Sequence, residues 1–399
     1  MTHFLLLDFG TTSTKSTLVD LDSGEFTPPE SHSALANRAT RLGRSEFDPR
    51  EVHQRFEAIC ARYYARTPFA GIALCSEMHG FVVLDEQDKP LTHYISWKDE
   101  RSLEPAHGES AFDAVLNAVG DRFTALTGMK ARPGFAPMNF LHLSREVSLP
   151  PTVRIVDLPG WLCRAGGHST GYAHPTMLAG LALYDVQQGT IAEELVETVQ
   201  HLSASRVLLD APAGTGQVAG YWDAGARRVP IYVGIGDHQC SLLGAGLVST
   251  DSLSINLGTG AQVSTLYCPS PPVEAETRPY FSDRMLRTIT HIPGGRALAE
   301  YIGFLGEIGE ATTDFWQLLA ACRVEDVQAS TMQFGLGLFP GARAYDGGGY
   351  IRSIGEGELT LKNYLCSLLK AFVEQYVDVL RLFDPMRQMQ TVLDRKSTR

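Results

Sequence analysis

Asp8, Gly10, Thr11, Thr12, Ser13, Thr14 and Lys15 stand together near the start of the chain, a set of residue types suited to holding an anion. Gly10 lets the backbone approach a ligand closely, the hydroxyl residues offer N–H and O–H donors, and Lys15 adds a positive charge. Asp8 facing the same anion makes sense if a divalent cation lies between them. The plainer reading of these residues is a polar turn that binds nothing.

Two further groups change the balance. Gly236-Asp237-His238-Gln239 presents an aspartate in a glycine-punctuated turn, and Leu257-Gly258-Thr259-Gly260 repeats the glycine and hydroxyl pattern of the start. Two glycine turns, a metal-side aspartate and a second aspartate free to act as a base are nearly all that phosphoryl transfer requires, because its catalysis is mostly positioning and electrostatic stabilisation.

Elements must hold these groups. Phe4-Leu5-Leu6-Leu7 is an apolar run that ends at Asp8, and a second strand-like run leads to the turn Leu21-Asp22-Ser23-Gly24, which predicts a β-hairpin. Asp48, Pro49 and Glu51 read as the start of a capped helix carrying Val52, Phe56, Ile59 and Tyr63 at helical spacing. Short strands follow at 71–75 and 81–84, on either side of Ser76-Glu77-Met78-His79-Gly80, and hairpins mixed with helices predict an α/β sheet with strands in both directions. Helices are expected at 112–126, 137–146 and 191–200, the last with a Thr190/Glu193 capping box, and loops at 132–137 and 157–162. A buried strand then delivers Asp237, and 252–264 reads as a second hairpin, which suggests an internal duplication. A helix at 296–306 and a long amphipathic helix with Leu361, Leu365, Leu368, Phe372, Tyr376 and Val379 along one stripe complete the pattern.

Composition narrows the function classes. A chain of 399 residues suggests two large domains, and its net charge of −11 without a basic run argues against a nucleic-acid partner. No stretch is long and apolar enough for a membrane span and no basic n-region precedes the first apolar run, so a soluble, cytoplasmic protein is expected. The 7 cysteines and 12 histidines show no zinc-type spacing.

With its three motifs in order, the chain resembles the FGGY carbohydrate kinases of the actin and hexokinase superfamily. Ser45-Glu46-Phe47-Asp48-Pro49, Glu77-Met78-His79-Gly80, Trp97-Lys98-Asp99-Glu100-Arg101 and Arg132-Pro133-Gly134-Phe135 add to the likeness. Met78-His79-Gly80 resembles the ketose kinases, xylulokinase and sedoheptulokinase. The resemblance implies an α/β fold of two actin-like ATPase (ribonuclease H-like) domains facing across a cleft, here 1–248 with the sugar site and first phosphate hairpin, and 249–399 with the nucleotide site. It implies ATP and Mg2+ as cofactors and a sugar phosphorylated at a primary hydroxyl. Asp237 is then the catalytic base, and Asp8 and Asp237 the metal-side carboxylates. Gly10, Thr11, Thr12 and Lys15 contact the γ-phosphate, and Gly258, Thr259 and Gly260 the β- or α-phosphate. Met78, His79, Trp97 and Asp99 line the sugar site. The expected partners are sugar and ATP, without nucleic acid or membrane, and a homodimer is left open.

One departure stands out. Where the family has a glycine-rich turn that holds adenosine, Asp394-Arg395-Lys396-Ser397-Thr398-Arg399 follows the last apolar run, so the sequence resembles a truncated member. The competing expectations are a kinase for another polyol or pentose, a sugar- or nucleotide-binding protein with little turnover, and an actin-like structural or chaperone ATPase.

Overall fold

Alternation decides the first strand: along His3–Phe9, Leu5, Leu7 and Phe9 enter the core while Leu6 and Asp8 take the other face. The computed structural model describes residues 2–106, 108–258, 260–266, 274–308, 313–339 and 341–394. The chain divides into two compact units, Met1–Ser241 with Thr277–Met285, and Leu242–Glu276 with Leu286–Arg399.

The main sheet of the first unit runs Val218–Ala224, Arg227–Tyr232, Gly71–Ser76, His3–Phe9, Ser13–Asp20, Glu30–Ser33, and Ile235–Gly236 also pairs with Gly71–Ser76. His3–Phe9 is antiparallel to Ser13–Asp20 and parallel to Gly71–Ser76, so the expected hairpin and mixed strand directions are both present. Against this sheet packs the helix Pro49–Arg66, whose buried residues include Val52, Phe56, Ile59 and Tyr63. Asp48 caps it by accepting the N–H of Arg50, but Glu51 closes no capping box and pairs instead with Arg38. A second core of this unit gathers Phe81, Phe123, Phe135, Phe140 and Leu195.

Three local expectations fail for identifiable reasons. The helix at 112–126 is two, Ala111–Val119 and Arg122–Thr127, broken where Gly120 turns to φ 60°. The segment 157–162 is no loop: Asp157 accepts the N–H of Gly160 at 2.7 Å and starts the helix Leu158–Ala165, with proline in its first turn. The helix Glu193–Ser203 has Ala192 at its N-cap with no side-chain cap, and the Thr190 hydroxyl accepts no helix N–H but donates to the Ile191 carbonyl.

In the second unit Ser252–Leu257 is antiparallel to Gly260–Thr265 and parallel to Thr391–Asp394, the same local plan as the opening hairpin and its neighbour. The long helix Leu361–Phe383 buries Leu365, Leu368, Tyr376 and Val379, as its stripe predicts, whereas Leu361 is exposed. No described helix is long and apolar enough to cross a membrane. The tail residues 395–399 that prompted the truncation reading lie outside the described residues.

Candidate active site

Strand register assembles the two aspartates. Gly71–Ser76 lies between two parallel neighbours, with Asp8 and Ile235 both level with Cys75, and Phe9 and Gly236 both level with Ser76. Asp237 therefore leaves the sheet one residue beyond this row. At about 4.8 Å per strand, Asp8 and the chain entering Asp237 are about 10 Å apart. The Cys75 thiol reports their nearness: its pKa is raised well above the ordinary value, first by its hydrogen bond with Cys240, then by burial, and further by the charges of Asp8 and Asp237. A cavity of about 290 Å³ opens on the same face, lined by Asp8, Lys15, Cys75, Ile235 and Cys240 among others.

Asp237 is the first residue of the helix Asp237–Gly244, and its Oδ1 accepts the N–H of His238 at 2.7 Å. What precedes it is tightly held. The N–H of Gly236 donates to the Thr176 hydroxyl at 3.1 Å, and a Cβ at Gly236 would come within 2.7 Å of both Met78 Sδ and Gln239 Oε1. An added side chain there would have to push Met78 and Gln239 aside, and Met78 is 4 % exposed.

At the tip of the first hairpin the N–H of Gly10 donates to Ser13 O at 3.1 Å, closing the turn on itself. Thr12 and Lys15 are exposed. The indole N–H of Trp97 donates to Thr11 Oγ1 at 3.0 Å, which ties a residue expected in the sugar site to one expected in the phosphate turn. Trp97 is 45 % exposed, and its backbone carbonyl abuts Gly134, where a Cβ would sit 2.1 Å away.

His79 occupies the left-handed region at φ 72°, a conformation uncommon for a side chain of this size. Its Nδ1 lies 2.6 Å from Gly180 O, and a carbonyl only accepts, so Nδ1 carries the proton and donates. The His79 ring stands 4.9 Å from that of Phe135, and the Arg132 guanidinium lies 5.7 Å from the same Phe135 ring.

Asp99 does not join this group. It is 0 % exposed, accepts the Ser45 N–H at 2.7 Å and the Arg101 side chain at 2.8 Å through each oxygen, and so has no oxygen to offer a sugar. A buried carboxylate needs such partners. Its work is to hold the loop bearing Trp97, helped by Asn139, whose Nδ2 donates to Asp99 O at 2.9 Å. The sequence reading passed over Gly180, which carries no local signal, and gave no role to Phe135 or to Glu77, a carboxylate beside Met78-His79-Gly80.

In the second unit, Gly258 O accepts the N–H of Gly295 at 2.8 Å, and Gly260 opens the strand Gly260–Thr265. Thr259 lies outside the described residues.

These features can be set beside known proteins. The FGGY family of carbohydrate kinases, N-terminal domain, matches residues 3–144. A xylulose kinase of Lactococcus lactis is 24 % identical over 277 residues, which cover 66 % of this chain and 53 % of that protein. A gluconokinase of Bacillus subtilis is 35 % identical over 111 residues, 27 % of this chain and 21 % of its own length. The chain thus spans about half or less of the length of these two curated relatives. The crystal structure of xylulose kinase from Rhodospirillum rubrum superposes with a TM-score of 0.77 at 18 % identity, covering 98 % of this chain and 80 % of that one. The mixed α/β fold is accordingly that of the FGGY sugar kinases, with their two actin-like ATPase-type domains. Over residues 3–144 the chain matches the N-terminal domain of the FGGY family of carbohydrate kinases.

Proposed function

We propose that this chain carries out ATP-dependent phosphorylation of a sugar, a ketose such as xylulose or sedoheptulose, at a primary hydroxyl. The observation that carries the reading is the register about Cys75, which brings Asp8 and the turn before Asp237 to the same end of neighbouring strands of one sheet. Asp237 takes the proton of the sugar hydroxyl, making that oxygen the better nucleophile towards the γ-phosphorus. Thr11, Thr12 and Lys15 receive the γ-phosphate, and Gly258, Thr259 and Gly260 bind a further phosphate. His79, with its proton fixed on Nδ1, and the exposed indole of Trp97 meet the sugar.

The donor set fits magnesium. Among the described residues no three or more His, Cys, Asp or Glu gather as a direct cage, and Asp8 and Asp237 are hard oxygen donors of the kind that hold this cation partly through water. When bound, Mg2+ would neutralise charge on the phosphates.

A second reading, a sugar acid as acceptor, draws on Arg132 beside Phe135 and on the gluconokinase likeness. A panel of ketoses, polyols and gluconate assayed for ADP release decides between them. Release with a ketose supports the first reading, release with gluconate alone the second, and none with any acceptor overturns both.

A further inference from the structure

Glu77 is a buried carboxyl for which the transfer chemistry above has no use. It directly follows the strand Gly71–Ser76, and its backbone N–H donates to Phe9 O at 2.9 Å, which pins it to the hairpin strand. Tyr94 donates its hydroxyl to Oε1 at 2.9 Å, while Oε2 has no hydrogen-bond partner among the described residues. Both Glu77 and the hairpin tip line one small cavity of about 40 Å³, with Gly10, Thr11, Thr14 and Arg55 in its wall. That is room for a water.

Donor counting gives the cavity a direction. The Thr11 oxygen accepts the Trp97 indole N–H, so the single hydroxyl proton of Thr11 is left to donate elsewhere. Glu77 is the acceptor at hand: the hydroxyls of Thr11 and Ser96 lie close enough to act on its carboxyl, although neither closes a hydrogen bond to Oε2. A water in the cavity can complete the link.

We propose that Glu77 is the positioning residue of the first hairpin, orienting the Thr11 hydroxyl and through it the Trp97 indole, so that one hydrogen-bonded chain sets both the phosphate turn and the sugar wall. Burial raises the pKa of the Glu77 carboxyl, against the lowering influence of Thr11, Tyr94, Ser96 and Lys98. Of the charged groups around it, Lys98 and Arg55 are cationic and Tyr94 is held neutral by its own burial.

The inference rests on the kinase reading for its turnover readout alone. The second readout is the Trp97 indole N–H resonance of the full chain, assigned by its loss in Trp97→Phe. Glu77→Ala is expected to shift that resonance and to lower turnover about tenfold, the scale of one buried hydrogen bond, with the sugar KM nearly unchanged. Glu77→Gln, which keeps the shape and can still accept, restores most of both. Should Glu77→Ala fail to fold, Thr11→Val compared with Glu77→Gln carries the same test. An unmoved resonance in Glu77→Ala or Thr11→Val, or a Glu77→Gln chain as impaired as Glu77→Ala, overturns the proposal. A wild-type chain without sugar-dependent turnover counts against the kinase reading, and the resonance still decides the role of Glu77.

Discussion

The indole N–H of Trp97 donates to the Thr11 hydroxyl at 3.0 Å, joining the loop that follows the Tyr94–Ile95 strand to the tip of the opening hairpin. Substituting the indole separates its two jobs. Trp97→Phe keeps an apolar face but loses the bond, and about a threefold to tenfold loss of turnover is expected with little change in sugar affinity. Trp97→Ala removes the face as well and should weaken sugar binding more than nucleotide binding, as separate titrations of each ligand would show. Equal weakening of both would mark Trp97 as a packing residue.

Gly134 gives an independent handle on the same loop. A Cβ there would lie 2.1 Å from the Trp97 carbonyl, a backbone atom that cannot rotate away, so Gly134→Ala must displace the Trp97 backbone. Sugar affinity is expected to fall in a chain whose far-ultraviolet circular dichroism is unchanged. Unaltered affinity would mean that the position of Trp97 does not matter to the site.

Asp237→Asn is expected to leave sugar binding nearly intact and to lower turnover by about 100- to 10,000-fold, the range for loss of a general base. Asparagine can still accept the His238 N–H that the aspartate accepts at 2.7 Å, so the helix start is preserved. Near-normal turnover in single-turnover assays would remove Asp237 from the role.

Asp157 sets a pH dependence of stability. Burial pushes its carboxyl up to about 7, with the charge of Asp210 adding to the rise and the Gly160 N–H and Arg164 opposing it. A raised carboxyl contributes fully below its unfolded value of about 4 and loses that contribution as pH rises towards 7, a change on the order of 4 kcal/mol. Asp157→Asn keeps an N-cap acceptor and removes the titration. Denaturant unfolding at pH 5 and pH 8 should therefore show the substituted chain gaining on the wild type at the higher pH. A constant difference across that range would refute the assignment.

The sequence by itself determined the elements whose signals are local. Alternation along His3–Phe9, the cap at Asp48 and the apolar stripe of Leu361–Phe383 are read within a few turns of chain, because burial of one face and satisfaction of one set of helix N–H groups need no distant partner. The turn at Gly10 was legible for the same reason. Tertiary structure decided what depends on residues far apart. Asp99 reads as a sugar ligand beside Trp97 until Ser45 and Arg101 take its oxygens. Whether a polar side chain faces a ligand or a buried partner is settled by which strands pair and in what register, since desolvation is compensated only by the groups that packing brings there. Glu77 is the clearest case: its neighbours Thr11, Tyr94 and Phe9 come from other strands and turns, and no spacing in the chain announces them.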